Sequence, residues 1–227
     1  MGKTIQRLAE AKGHNIAQVI DLQRGNSIED LMSDLDVAIE FTRPEAAVQN
    51  IRACINKSIP VVSGTTGWLA SYDEIKTYCI EKNSAFFYAS NYSIGVNVFF
   101  ELNRYLAKMM EPFPDYDVSM TEIHHTQKLD APSGTAITLA EGILDEISRK
   151  ETWVNQETPN SVELPIFSER IDDVPGTHQI TYKSRIDDVE ITHTAHSREG
   201  FASGALSAAE WLVGKNGCFG MKDMLNL

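Results

Sequence analysis

Residues 59–91, IPVVSGTTGWLASYDEIKTYCIEKNSAFFYASN, decide the fold. IPVVSG (59–64) and AFFYAS (85–90) are short apolar runs suited to buried parallel strands. The stretch between them reads as a helix, with Ser71 and Glu74 spaced as a capping box. A strand, a helix and a second strand in so short a stretch make a parallel crossover unit. Upstream the pattern repeats. DVAIEF (36–41) reads as a strand, Pro44 suits a helix start after Phe41-Thr42-Arg43, and IAQVID (16–21) supplies a further strand. MGKTIQRLAEAKG (1–13) reads as a helix with Ile5, Leu8 and Ala9 on one side. This alternation predicts a doubly wound α/β unit with ligand-binding loops at the carboxyl ends of its strands.

After Asn91 the pattern changes. A helix, VNVFFELNRYLAKMM (96–110), leads to a strand, YDVSMTEIH (116–124). Residues 150–176 are polar and proline-bearing, and two strand-like runs follow, THQITYK (177–183) and DDVEITHTAH (187–196). The small-residue helix SREGFASGALSAAEWLVGK (197–215) and a short tail close the chain. Consecutive strands predict a second domain, mixed α/β with a largely antiparallel sheet. The expected division is 1–94 with 198–227 against 95–197.

The formal charge of −12 argues against a general affinity for nucleic acid or an anionic membrane surface. No apolar run approaches the ~18 residues of a spanning helix, and the N-terminus reads as an amphipathic helix and not as a signal peptide. Cys54, Cys79 and Cys218 have no paired spacing and fit a reducing, cytoplasmic compartment.

The chemistry concentrates in EIHHTQKLDAPSGTA (122–136). Two histidines and a lysine precede a helix start, so His124, His125 and Lys128 offer charge or protons near neutral pH. The backbone N–H groups of Ser133, Gly134 and Thr135 open toward a negative group. Ala136, Leu139, Ala140, Ile143, Leu144 and Ile147 recur at helical spacing, which buries one face and fixes that start. A His-His pair alone is more often filler than catalytic, and Ser-Gly-Thr alone is an ordinary N-cap. Together they point to a small anionic substrate that must be protonated. Zinc is not expected, since H-E-x-x-H is absent and the cysteines are dispersed even with His193 and His196 added. Ser133 lies in no G-x-S-x-G elbow, which argues against a hydrolase.

At the strand ends of the first domain, Asp21 follows Gly2 by roughly the 20 residues that place an acid on an adenosine ribose. Arg24 nearby leaves a 2′-phosphate open. Gly64-Thr65-Thr66-Gly67 and Ala89-Ser90-Asn91-Tyr92 offer small residues and backbone groups that suit the edge of a nicotinamide.

With EIHHTQKLDAPSGTA, GTTG, ASNYSIGVN and SREGFASGALSAAEWL in this order, nearly the whole chain resembles the 4-hydroxy-tetrahydrodipicolinate reductase (dihydrodipicolinate reductase) family. The resemblance implies a cytoplasmic, homotetrameric, NADH- or NADPH-dependent reductase of the diaminopimelate route to lysine, acting on a small cyclic dicarboxylate. It implies a Rossmann domain for cofactor and a second domain for substrate and oligomerisation. It makes His124 the acid/base group and Lys128 its partner proton donor, with His125, Ser133, Gly134 and Thr135 around the substrate carboxylates. Gly2, Asp21, Arg43, Gly64, Thr65, Thr66, Ala89, Ser90, Asn91, Tyr92, Arg198 and Phe201 fall on the cofactor side. The family begins with a strand and a glycine-rich turn, of which Met1-Gly2 resembles only the last two residues. An incomplete phosphate loop is therefore expected. Two alternatives follow: a non-catalytic dicarboxylate-binding oligomer, or another two-domain nicotinamide oxidoreductase.

Overall fold

The computed structural model describes residues 1–197 and 199–227. The chain divides into two units, Met1–Asn97 with Glu199–Leu227, and Val98–Arg198.

The first unit opens with α1 (Gly2–Ala11), which buries Ile5 and Ala9 as its periodicity predicts. Then come β1 (Ala38–Glu40), α2 (Pro44–Asn56), β2 (Val61–Ser63), α3 (Tyr72–Glu81) and β3 (Ala85–Tyr88). Pro44 occupies the first turn of α2. There its fixed φ suits the helix and its missing N–H costs nothing. The three strands are parallel, and Val61, Val62, Phe86 and Phe87 are fully buried on both faces, as a helix-covered sheet requires.

Two expectations fail here. Residues 16–21 form no strand. β1 is an edge of the sheet, and the backbone of this segment bonds to side chains instead: Asn26 Nδ2 donates to the Val19 carbonyl and Asp21 N donates to Asn26 Oδ1. Gln18 Nε2 donates to the Asp30 carbonyl while its Oε1 accepts from Met32 N. The Ser71–Glu74 capping box does not form either. Ser71 ends a 3-10 turn that runs directly into α3, and Glu74 pairs with Arg52.

The second unit takes in most of α4 (Ile94–Met110), then β4 (Asp117–His124), α5 (Gly134–Leu144), β5 (Thr152–Val154), β6 (Glu163–Arg170), β7 (Gly176–Lys183) and β8 (Asp188–Ala195). The sheet order is β5-β6-β4-β7-β8. β5–β6 and β6–β4 are parallel, while the longer pairings β4–β7 and β7–β8 are antiparallel. The core forms where Leu106, Ala107 and Met110 of α4 and Leu139, Ala140 and Ile143 of α5 meet Val118, Met120, Ile166, Ile180 and Tyr182 of the sheet.

The chain then returns to the first unit through α6 (Glu199–Leu212), β9 (Gly217–Phe219) and α7 (Met221–Leu225). β9 pairs parallel to β3 and completes the order β1-β2-β3-β9. The small residues of α6 permit a close approach: a Cβ on Gly204 would lie 1.8 Å from the Tyr92 carbonyl oxygen.

Candidate active site

The inward-facing residues of β4 are Val118, Met120, Glu122 and His124, so the alternation that builds the core runs to the strand's end. Only the chemistry changes, from apolar to titratable. Register brings partners to that end. His124 lies opposite Arg170 on β6, and Glu122 opposite Ser168 on β6 and His178 on β7.

Glu122 is fully buried. Its Oε1 accepts from Arg170 Nη2 at 3.1 Å, and its Oε2 lies 3.0 Å from His124 Nδ1. The latter contact is an ion-pair distance whose alignment falls short of an ideal hydrogen bond. Burial pushes the Glu122 carboxyl up, but the donors around it, His124, Ser133, Ser168 and Arg170, outweigh burial and hold it well below the usual carboxylate range. His124 is 7% exposed, and its ring meets that of His178 edge-on with centroids 5.1 Å apart. Burial, reinforced by the neighbouring His124, pushes His178 down to about 4. His178 Nε2 lies 3.2 Å from Ser133 Oγ.

Ser133 connects this cluster to the helix. As N-cap of α5 its Oγ accepts from Ala136 N at 3.2 Å. Gly134 is exposed and Thr135 half-exposed at the first turn, which carries no acidic side chain. Their N–H groups and the helix dipole favour an anion there. His125 is half-buried just past β4. Lys128 Nζ donates to both carboxylate oxygens of Asp130 at 2.8 Å, and its backbone N donates to the His125 carbonyl. Arg170 also donates to the carbonyls of Lys128 and Asp130, so one guanidinium ties this loop to Glu122. Glu122, His124 and His178 present ligand atoms within 4.8 Å of one another, a spacing open to a metal ion. The Arg170 guanidinium on the same carboxylate already supplies the positive charge an ion would bring.

In the first unit the carboxyl ends of β1–β3 carry Thr42, Gly64, Thr65 and residues 89–92. A buried Glu40 gathers them: Ser63 Oγ donates to Oε2 at 2.6 Å, while Thr65 Oγ1 at 2.9 Å and Thr42 N at 3.0 Å donate to Oε1. Tyr92 Oη donates to the Ser63 carbonyl at 2.6 Å, and Asn91 accepts from Asn97 and Ser93. Thr66, Ser90 and Arg43, the N-cap of α2, are exposed, and Ala89 is buried. Asp21 bonds within its own turn, where its Oδ1 accepts from Gln23 N. Gly2 begins α1, whose first turn has neither a side-chain cap nor an acidic residue. Phe201 is half-buried on α6, and Arg198 lies outside the described residues. Small residues, hydroxyls and an uncapped helix start form a donor set that fits a dinucleotide.

Sequence reasoning passed over four residues. Glu122 could have been read from the V-x-M-x-E-x-H alternation, which puts a carboxylate on a core face. Arg170, His178 and Glu40 carry no local signal.

The comparisons with known proteins give the family. The chain matches the family models "Dihydrodipicolinate reductase, N-terminus" over residues 1–92 and "Dihydrodipicolinate reductase, C-terminus" over residues 95–225. It is 52% identical to a 4-hydroxy-tetrahydrodipicolinate reductase of Christiangramia forsetii, covering 100% of this chain and 94% of that protein. It is 34% identical to one from Methanoregula boonei, with the same coverage. Among solved structures, a dipicolinate-bound dihydrodipicolinate reductase from Paenisporosarcina sp. TG-14 shares the fold, with TM-score 0.66 and 24% identity over 83% of this chain and 73% of that one. The chain belongs to the dihydrodipicolinate reductase family.

Proposed function

We propose that the chain reduces 4-hydroxy-tetrahydrodipicolinate to tetrahydrodipicolinate with NADH or NADPH, a step toward diaminopimelate and lysine. The observation that carries this reading is His124, buried at the end of β4 between Glu122 and His178, in the same unit as the helix start at Ser133. The 4-hydroxyl leaves as water to give an unsaturated ring, and the nicotinamide, when bound, would supply a hydride to one carbon of that ring. The chain's own groups do the rest. His124 gives a proton to the neighbouring carbon as general acid. Gly134 and Thr135 N–H groups, with His125, hold the substrate carboxylates. Lys128 exchanges Asp130 for a substrate carboxylate and stabilises developing negative charge.

The first unit is the cofactor domain, with Thr65, Thr66 and residues 89–92 at the nicotinamide, Asp21 at the ribose, and Gly2, Arg43 and Phe201 along the dinucleotide. We take the assembly to be a cytoplasmic homotetramer, which sedimentation of the purified protein tests. Activity is tested by substrate-dependent loss of nicotinamide absorbance, with His124→Gln and Lys128→Ala each expected to lose about 100-fold or more in turnover. Turnover near the unaltered level in His124→Gln overturns the reading.

A further inference from the structure

Resting on that reading, we propose that Glu122, clamped by Arg170, is the positioning residue of His124: it holds the proton on Nδ1 and so keeps Nε2 as the nitrogen that delivers a proton to substrate. The argument is geometric. A neutral imidazole carries one proton, and the hydrogen bond made at one nitrogen decides which nitrogen keeps it. The Nδ1 edge of His124 lies 3.0 Å from Glu122 Oε2, while the Nε2 edge lies beside Gly176, which has no side chain to cover it.

Glu122 cannot drift, because Arg170 holds its other oxygen at 3.1 Å and is itself fixed by the carbonyls of Lys128, Glu169 and Asp130. The other imidazole has a partner of its own. His178 turns its Nε2 to Ser133 Oγ and meets the His124 ring edge-on. In the step itself the Nε2–H bond breaks as a C–H bond forms on the substrate, and the imidazolium becomes the neutral Nδ1–H tautomer. No proton passes to Glu122. The Nε2 proton is then restored from water, and a carboxylate in this place spares the ring any flip between turnovers.

The experiment combines nitrogen-15 spectra of the His124 ring, at a pH where it is neutral, with kinetics of three variants. The unaltered protein is expected to show the Nδ1–H tautomer and Glu122→Gln a mixture of the two. Glu122→Gln should lose about 100-fold in kcat with KM for substrate and cofactor within about threefold, and Glu122→Asp should recover part of the loss. An Nε2–H tautomer in the unaltered protein, or a Glu122→Gln kcat within about threefold of it, overturns the proposal. So does a loss seen as a rise in KM. If His124→Gln abolishes turnover while Glu122→Gln does not, this proposal fails and the proposed function stands; if neither matters, the function fails. Should Glu122→Gln not fold, the spectrum of the unaltered protein decides alone.

Discussion

Gly176 packs against the Nε2 edge of His124: a Cβ at Gly176 would lie 3.1 Å from His124 Nε2, at a backbone φ of +156° that side-chain-bearing residues rarely adopt. Both facts oppose a side chain there. Gly176→Ala should displace the imidazole by a few tenths of an ångström, and misplacement at that scale costs turnover on the order of 10-fold or more. Steady-state kinetics should show the loss in kcat, with cofactor KM unchanged. Equal kcat in the variant would mean that the ring has room to move without consequence.

A second expectation concerns pH. His178 has an ordinary value of 6.5 and is held near 4 in the folded protein. Between those values the unfolded chain binds a proton that the folded chain refuses, so stability falls as pH drops from about 6.5 to about 4, by up to about 3 kcal/mol. The lowered Glu122 carboxyl acts in a separate window. Its contribution is present above the ordinary carboxylate value and is lost as pH falls below it. Urea unfolding at intervals between pH 7 and pH 4.5 should therefore give a flatter profile for His178→Gln than for the unaltered protein, whatever their difference at pH 7. Parallel profiles would refute the assignment.

Glu40 supplies a third test. Its carboxyl accepts from Ser63, Thr65 and Thr42, and no cation pairs with it among the described residues. Glu40→Gln turns an N–H2 group toward donors, leaving at least one buried polar group unsatisfied at a cost of about 1–3 kcal/mol. The same change loosens Thr65, so cofactor KM should rise while the KM for substrate holds. Calorimetric unfolding and cofactor titration measure the two effects separately, and an unchanged cofactor affinity would detach Glu40 from the cofactor edge.

What could be read from the sequence follows from distance along the chain. β1, β2 and β3 announce themselves as apolar runs because both faces of their sheet are covered. β6 does not. Pro165 ordinarily confines a run to a sheet edge, yet β6 lies between β5 and β4 with Pro165 opposite Val154 of the short β5. IAQVID fails in the opposite sense, since apolar composition cannot supply a ladder partner. At the site, His124 and Ser133 stand within one motif and were legible. Arg170 and His178 reach His124 and Glu122 only through strand register, which no local pattern encodes.

The pairing of β9 with β3 also bears on how the chain is made. Residues 217–219 emerge from the ribosome after the whole of the second unit, so the sheet of β1, β2 and β3 remains one strand short until the second unit has been made. The second unit is continuous and can fold while it is being synthesised, with its His124–Glu122–Arg170 cluster already assembled. The unit whose first strands precede the second unit is therefore completed only after it. Until α6 and β9 arrive, the apolar flank of β3 is exposed to chaperones and to other nascent chains.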